Sequence, residues 1–301
     1  MTGASRGIGR SAAVKLLTEA PDLHLVITAR GGAGSQIAQQ LSAASGNPHV
    51  SWVGADLASL SSIRSAVGEL ERQLDTGELP PLLGFTGNAG LQMTSANRAS
   101  ADGLELTFAV NVLANHLFVR LLEDRFVSPA RIVITTSDTH FGDLRHNLGM
   151  VPAPSWRSPL ELAEPGQGPD TDTVAAGRRA YSTSKLAVIY LVHALARRLP
   201  AGVDAYAWNP GFVPATGLAR DAGAVQRFAM QRVMPLLTLT PLSVSARTAG
   251  EHLARVVTGP RPADSGAYLN LGSAERSSEE SYDQAREDEL WSAADQLCGL
   301  T

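Results

Sequence analysis

Tyr181 and Lys185 stand four residues apart in Ala180-Tyr181-Ser182-Thr183-Ser184-Lys185-Leu186-Ala187. On a helix that spacing puts both on one face, one turn apart. An ammonium beside a phenol favours the phenolate, because a nearby opposite charge stabilises the charged form. A tyrosine tuned in this way can exchange a proton near neutral pH, as oxidation of an alcohol or reduction of a carbonyl requires. Tyr-x-x-x-Lys also recurs by chance, usually as a half-buried tyrosine beside a solvated lysine. The pattern gains its weight from what precedes it.

Thr2-Gly3-Ala4-Ser5-Arg6-Gly7-Ile8-Gly9 opens the chain and runs into a helical pattern, Ile8, Ala12 and Leu16, that continues through Glu19. Gly3, Gly7 and Gly9 permit a tight turn and close backbone approach to a pyrophosphate, with Ser5, Arg6 and Ile8 between them and phosphate at the helix N-terminus. Leu23 to Thr28 reads as a buried strand ending in Ala29-Arg30, about twenty residues beyond Gly9, where a dinucleotide site selects its ribose. An acid there would accept a 2′-hydroxyl. Arg30, with Arg6 as a second cation, suits a 2′-phosphate and therefore NADP(H).

These residues need elements to hold them, and the remaining pattern supplies strands alternating with helices. Helices are expected over 35–44, 60–74 (capped by Ser59), 102–125, from Tyr181 through Arg198, over 243–257 and at the C-terminus to Cys298. Strands are expected over 50–54 (leading into Asp56-Leu57), 82–86, 131–136, 203–208 and 268–271. The third of these expected strands from the N-terminus, counting 23–28 first, runs into Gly87-Asn88-Ala89-Gly90, small enough for a cofactor to lie against. Asn111 interrupts an apolar helix, where a hydrogen-bonded core asparagine is the plain alternative to a functional one. Ser137 stands at the carboxyl end of the 131–136 strand, where ligands of open α/β sheets bind. The order implies an α/β fold, a doubly wound parallel sheet of Rossmann-like type, in a single domain over 1–301. Residues 141–178 break the pattern with five prolines and little periodicity, as an insertion that is usually functional or mobile. An apolar, Met-containing stretch within 216–241 is expected to close over the substrate as a lid, although plain core packing gives the same composition.

Composition excludes several classes. Hydrophobic residues make up 44% and charged residues 18%, ordinary for a globular chain, and a net charge of −4 leaves no basic footprint for nucleic acid. The one cysteine, Cys298, forms no internal disulfide, and the seven scattered histidines show no metal-ligand spacing. No membrane span and no signal peptide are expected, so the default location is cytoplasmic.

Taken together, the segments resemble the short-chain dehydrogenase/reductase family across nearly the whole chain. Thr-Gly-x-x-x-Gly-x-Gly at 2–9, Asn88-Ala89-Gly90, Asn111, Ser137, Tyr181-x-x-x-Lys185 and Pro210-Gly211 occur in that family's order. Asp102-Gly103-Leu104-Glu105 and Asp56-Leu57-Ala58-Ser59-Leu60 are similar to the branch holding retinol dehydrogenases, the WW-domain oxidoreductase and protochlorophyllide reductase. That branch also carries a long insertion between its serine and its tyrosine. The resemblance implies that Tyr181 is the general acid/base, with Lys185 lowering its pKa and holding the nicotinamide ribose. It implies that Ser137 bonds the substrate oxygen, that Asn111 holds a water leading from Lys185 to solvent, that Asp56 receives the adenine and that Asn88 shapes the cofactor wall. Gly87 stands where the family often has a second asparagine. Phe212 follows Pro210-Gly211, whereas the light-dependent chlorophyll enzymes have a cysteine in their catalytic region.

The expected function is hydride transfer between NADP(H) and a lipophilic alcohol or carbonyl by a monomer or homodimer; the alternative is an idle NADPH-binding sensor or scaffold. One element is missing from the expected sheet of order 3-2-1-4-5-6. The family's first strand should precede Thr2, so a slot is expected between the strands at 23–28 and 82–86, and a natural chain is expected to carry about five to ten more apolar residues upstream.

Overall fold

A computed structural model describes residues 1–147, 149–167, 170–213 and 243–300. The expected lid at 216–241 lies outside the described residues. Helix α1 (Gly7–Glu19) leads to β1 (Leu25–Ala29), α2 (Gly34–Ser45), β2 (Val50–Gly54), α3 (Leu60–Asp75) and β3 (Leu82–Gly87). Then come α4 (Leu106–Arg125), β4 (Phe126–Thr135), α5 (Val174–Arg198), β5 (Val203–Asn209), α6 (Ala246–Thr258), β6 (Tyr268–Asn270), β7 (Ser273–Glu275) and α7 (Gln284–Cys298).

Strands β3, β4, β5 and β6 pair in parallel and β7 returns antiparallel at the edge, while β1 and β2 form a separate parallel pair. No strand among the described residues lies between β1 and β3, as the sequence leads one to expect. Met1 and Thr2 occupy the carboxyl end of that slot. The Met1 backbone nitrogen donates to Val26 O (2.7 Å), Thr28 N donates to Met1 O (3.0 Å), and Thr2 N donates to Thr86 O (2.9 Å). The glycine loop therefore leaves from between β1 and β3.

Side chains alternate across the sheet with the period of two that strand geometry imposes. Ile132 and Ile134 on β4, with Ala205 and Ala207 on β5, pack on the layer formed by α3, α4, α5 and α7. Val133, Tyr206 and Trp208 face the other way, onto α1 and α6. Covering both faces is why these strands read as continuous apolar runs. Helix α6 lies so close to α1 that a Cβ on Gly250 would come within 2.5 Å of Ser11 Cβ and 2.7 Å of Ala12 N.

One sequence expectation needs correction. The helix expected from Asp102 begins at Leu106, because Gly103 (φ +77°) turns the chain and the Glu105 carboxylate caps the new helix, accepting from Thr107 N (3.0 Å) and Phe108 N (2.6 Å). Asp102 instead caps the neighbouring helix, accepting from Leu60 N at 2.8 Å. Helix α4 also has the length and composition of a membrane span, 20 residues at a mean hydropathy of 1.2, although 78% of that window is buried inside the protein, as in a core helix. The insertion is packed onto α5 rather than free of it: Ser155 N donates to Thr183 Oγ1 (3.0 Å) and Ser182 Oγ donates to Pro152 O (2.8 Å).

The α1–α6 contact generates a stability prediction. Gly250→Ala drives a methyl into α1 backbone, an overpacking that typically costs about 1–3 kcal/mol. Urea unfolding checks it; an unchanged midpoint would mean the two helices separate without cost.

Candidate active site

The site is assembled where α5 crosses the carboxyl end of β4. Thr136 Oγ1 donates to Lys185 O (2.7 Å), and Lys185 Nζ donates to Thr135 O (2.9 Å). This reciprocal clamp fixes the helix to the strand end and with it the direction of Tyr181 and Ser137. Tyr181 is 6% exposed and Lys185 3%. The Lys185 ammonium lies 5.4 Å from the centroid of the Tyr181 ring, and the Ser137 hydroxyl stands near enough to the Tyr181 phenol to pull its pKa down.

Burial disfavours the charged form of each group and so moves them in opposite directions. The Tyr181 phenol is pushed up to about 12, with the Ser137 hydroxyl pulling it down less strongly. The Lys185 ammonium is pushed down to about 8 and stays largely protonated at neutral pH. In this arrangement burial outweighs the depression of Tyr181 that a helix neighbour alone would produce.

Asn111 is 1% exposed and sits in a π-helical turn, Ala109–Leu113, within α4. Its Oδ1 accepts from Leu91 N (2.9 Å), and its Nδ2 donates to Leu91 O (3.0 Å) and Ser184 Oγ (2.9 Å). The side chain thus ties the segment after β3 to α5, and the Asn111 carbonyl accepts from Asn115 Nδ2 at 2.8 Å. A Cβ on Gly90 would stand 3.3 Å from Asn111 Oδ1 and 3.4 Å from Lys185 Nζ, so Gly90 borders the Lys185 ammonium directly.

The glycine loop meets the same strand ends. Gly3 adopts φ +70°, and a Cβ there would press to 2.8 Å of Asn88 Nδ2; Asn88 Nδ2 donates to Thr2 O (3.4 Å) and Gly3 O (3.3 Å), and Ala89 N donates to Thr2 Oγ1 (2.9 Å). A Cβ on Gly9 would fall 2.1 Å from Gly3 O, whereas one on Gly7 (φ +55°) would meet nothing within 4 Å. The loop is thus closed underneath and open above, and Arg6 makes no side-chain cap on α1. Exposed backbone at an uncapped helix start fits a dinucleotide pyrophosphate. Ser5, Arg6 and Arg30 are exposed, Ile8 is buried behind the loop, and neither arginine has an ion-pair partner among the described residues. Asp56 is exposed after β2, its Oδ1 accepting from Ala58 N (3.1 Å), and Leu57 packs on the core beneath it. Gly211 (φ +69°) turns the chain after β5, with Gly211 N donating to Asn209 Oδ1 (3.2 Å) next to Pro210.

The structure brings Ser137, Tyr181, Lys185, Asn111 and Gly90 together, and it sets Arg6, Arg30 and Asp56 on the rim farther along the strand ends. Sequence reasoning missed Thr135 and Thr136, Leu91, Ser184, Asp138 and His140. Asp138 and His140 follow Ser137 closely as polar residues, but their partners lie far along the chain; the others act through backbone atoms or across elements, and none of the six carried a sequence signal of its role.

With this geometry in place, comparison with known proteins is informative. A short chain dehydrogenase family model matches residues 1–146 and an AcuH dehydrogenase domain model matches residues 215–301. Protochlorophyllide reductase B of Hordeum vulgare is 31% identical over the whole chain, which spans 78% of that protein. The chain belongs to the short-chain dehydrogenase/reductase family. Among solved structures, a blue fluorescent protein from a metagenomic library in complex with NADPH aligns with a TM-score of 0.59 at 22% identity, over 90% of this chain and 94% of that one. A short chain dehydrogenase from Burkholderia cenocepacia in complex with NADP gives 0.60 at 22%, over 90% and 95%. These likenesses concern the fold, an α/β domain with a parallel central sheet.

The buried phenol yields a direct prediction. Phenolate absorbance near 295 nm should rise identically in the protein and its Tyr181→Phe variant between pH 8 and about 11, since Tyr181 ionises only near 12. A Tyr181-dependent rise below pH 10 would contradict the burial argument.

Proposed function

We propose that this protein is an NADP(H)-dependent oxidoreductase that interconverts an alcohol and a carbonyl on a lipophilic molecule. The observation that carries the reading is the Ser137–Tyr181–Lys185 group, its phenol and ammonium buried, built around the β4–α5 clamp. A scaffold or sensor has no need of a phenol held against a serine hydroxyl at a strand end. The glycine loop, α1, Asn88-Ala89-Gly90 and Pro210-Gly211 would hold the dinucleotide, with Arg6 and Arg30 toward its 2′-phosphate and Asp56-Leu57 beside its adenine. When bound, NADP(H) supplies or accepts the hydride.

The chain's own residues handle the proton and the oxygen. The Ser137 hydroxyl and the Tyr181 phenol together present two donors to a substrate oxygen, the arrangement that stabilises developing negative charge on it. Tyr181 gives its proton in reduction and takes one in oxidation. Lys185, a cation held within the site, favours the phenolate at the moment Tyr181 has released its proton, and the low dielectric around it strengthens that effect. The lipophilic substrate class is supported by the retinol- and chlorophyll-type branch that the sequence resembles and by the apolar composition of 216–241. Phe212 follows Pro210-Gly211, and the one cysteine, Cys298, is buried in α7 with its thiol pushed up to about 12 by burial. These features support ordinary carbonyl chemistry over a cysteine-assisted, light-driven reduction.

Two measurements test the reading. Tyr181→Phe should lower turnover of NADPH with a panel of apolar aldehydes and ketones by at least about a hundredfold, the low end of general acid–base contributions, and leave NADPH affinity within about threefold; wild-type turnover in this variant would remove Tyr181 from the mechanism. Replacing Arg6 and Arg30 with alanine should weaken NADPH far more than NADH, since each charge-assisted contact contributes about 1.5–3 kcal/mol. Equal losses for both cofactors would show that these arginines do not read the phosphate.

A further inference from the structure

Ser137 is followed at once by a tight turn, Asp138–Phe141, whose side chains run to the far end of the sequence. His140 is fully buried, at 0% exposure. Its Nε2 lies 3.2 Å from Ser278 N, and its Nδ1 lies 2.7 Å from Ser137 O. An amide N–H can only donate, so Nε2 must be the acceptor and Nδ1 must carry the ring proton, which it donates to the Ser137 carbonyl. One tautomer satisfies both bonds, and protonation of the ring would break the bond to Ser278. Burial acts in the same sense, holding the imidazole down at about 4 and hence neutral.

The other end of this link is itself fixed. Ser281 Oγ donates to Ser278 O (2.6 Å), and Tyr190 Oη on α5 donates to Glu280 O (2.7 Å). Beside His140, Asp138 Oδ1 accepts from Asn209 Nδ2 and from Tyr268 Oη, each at 2.6 Å. The Tyr268 ring meets the His140 ring edge-on, with centroids 5.1 Å apart. Asp138 thus anchors the turn to β5 and β6, and His140 anchors it to the segment before α7.

We propose that His140 is a positioning residue: a neutral imidazole that suspends the Ser137 turn from the Ser278 backbone and so holds the Ser137 hydroxyl against Tyr181. This rests on the reading of Ser137 and Tyr181 as the groups that hold the substrate oxygen. It gives the C-terminal segment a part in the chemistry although none of its side chains belongs to the catalytic group. Without the tether the turn loses its only side-chain link to residues 277–282 among the described contacts, and the Ser137 carbonyl loses its imidazole donor.

Three variants separate the parts of this claim. Glutamine can place an acceptor near the position of Nε2 and keep the link to Ser278. Asparagine can replace only the Nδ1 donor, and leucine replaces neither. His140→Leu and His140→Asn should lower kcat with an apolar aldehyde at least tenfold at unchanged NADPH affinity, and should raise the apparent pKa of the kcat profile as the Ser137 hydroxyl moves away from Tyr181. His140→Gln should restore kcat to within about threefold of wild type. Hydrogen exchange of the Ser278 amide should be slow in the wild type and His140→Gln and fast in the other two. Slow exchange in His140→Leu overturns the tether; fast exchange with unchanged kcat overturns its positioning role. Tyr181→Phe run alongside distinguishes the two levels: its full activity would sink the functional reading, and with it this proposal, whereas its inactivity beside a fully active His140→Leu would sink this proposal alone.

Discussion

Lys185 is a cation enclosed by protein, and its ammonium is held by the carbonyl of Thr135 at 2.9 Å. A buried ammonium is costly unless something accepts its protons, and the acceptor here is Thr135 O at the carboxyl end of β4, one residue past the pairing of β4 with β3. Helix α5 must therefore cross at that level, and Thr136 secures it there by donating to Lys185 O. One residue on, the chain places Ser137; one helical turn back, it places Tyr181. The positions of Ser137 and Tyr181 follow from the need to satisfy one lysine.

The same requirement organises the layers around it. Helix α5 is buried along most of its length, with α4 on one flank, α7 packed over it and the insertion against its first turns. Asn111 would be a liability in the apolar interior of α4 were its amide not fully used by Leu91 and Ser184. By tying the segment after β3 to α5, it closes the wall that Gly90 forms beside Lys185. On the other side of the sheet, the uncapped start of α1 and the loop before it lie open above Gly7. A dinucleotide spanning the strand ends would thus have its phosphates at one helix start and its reactive ring against the buried lysine.

Much of this was legible in the sequence because the signals are local. The 203–208 and 131–136 strands show as apolar runs between turn residues, Ser59 caps α3 as its position implies, and Tyr181 and Lys185 need only helical periodicity to be brought onto one face. The helix start at Leu106 was misread because Asp102 looks like a cap and is one, but for α3. The roles of His140 and Asp138 were invisible because their partners, Ser278 and Tyr268, lie more than a hundred residues away. The raised pKa of Tyr181 is not legible from pairing alone, since it is set chiefly by burial of the phenol. The slot between β1 and β3 was deducible from the strand count, but its occupation by Met1 and Thr2 depends on backbone bonds that no pattern encodes.

The central claim is that the Ser137–Tyr181–Lys185 group serves hydride transfer between a nicotinamide and a carbonyl carbon. The most direct measurement uses NADPH carrying deuterium on the reacting carbon of the nicotinamide, incubated with the protein and an apolar aldehyde that is turned over. The account predicts that the deuterium appears on the carbinol carbon of the alcohol product. Alcohol formed with only solvent hydrogen at that carbon would contradict it.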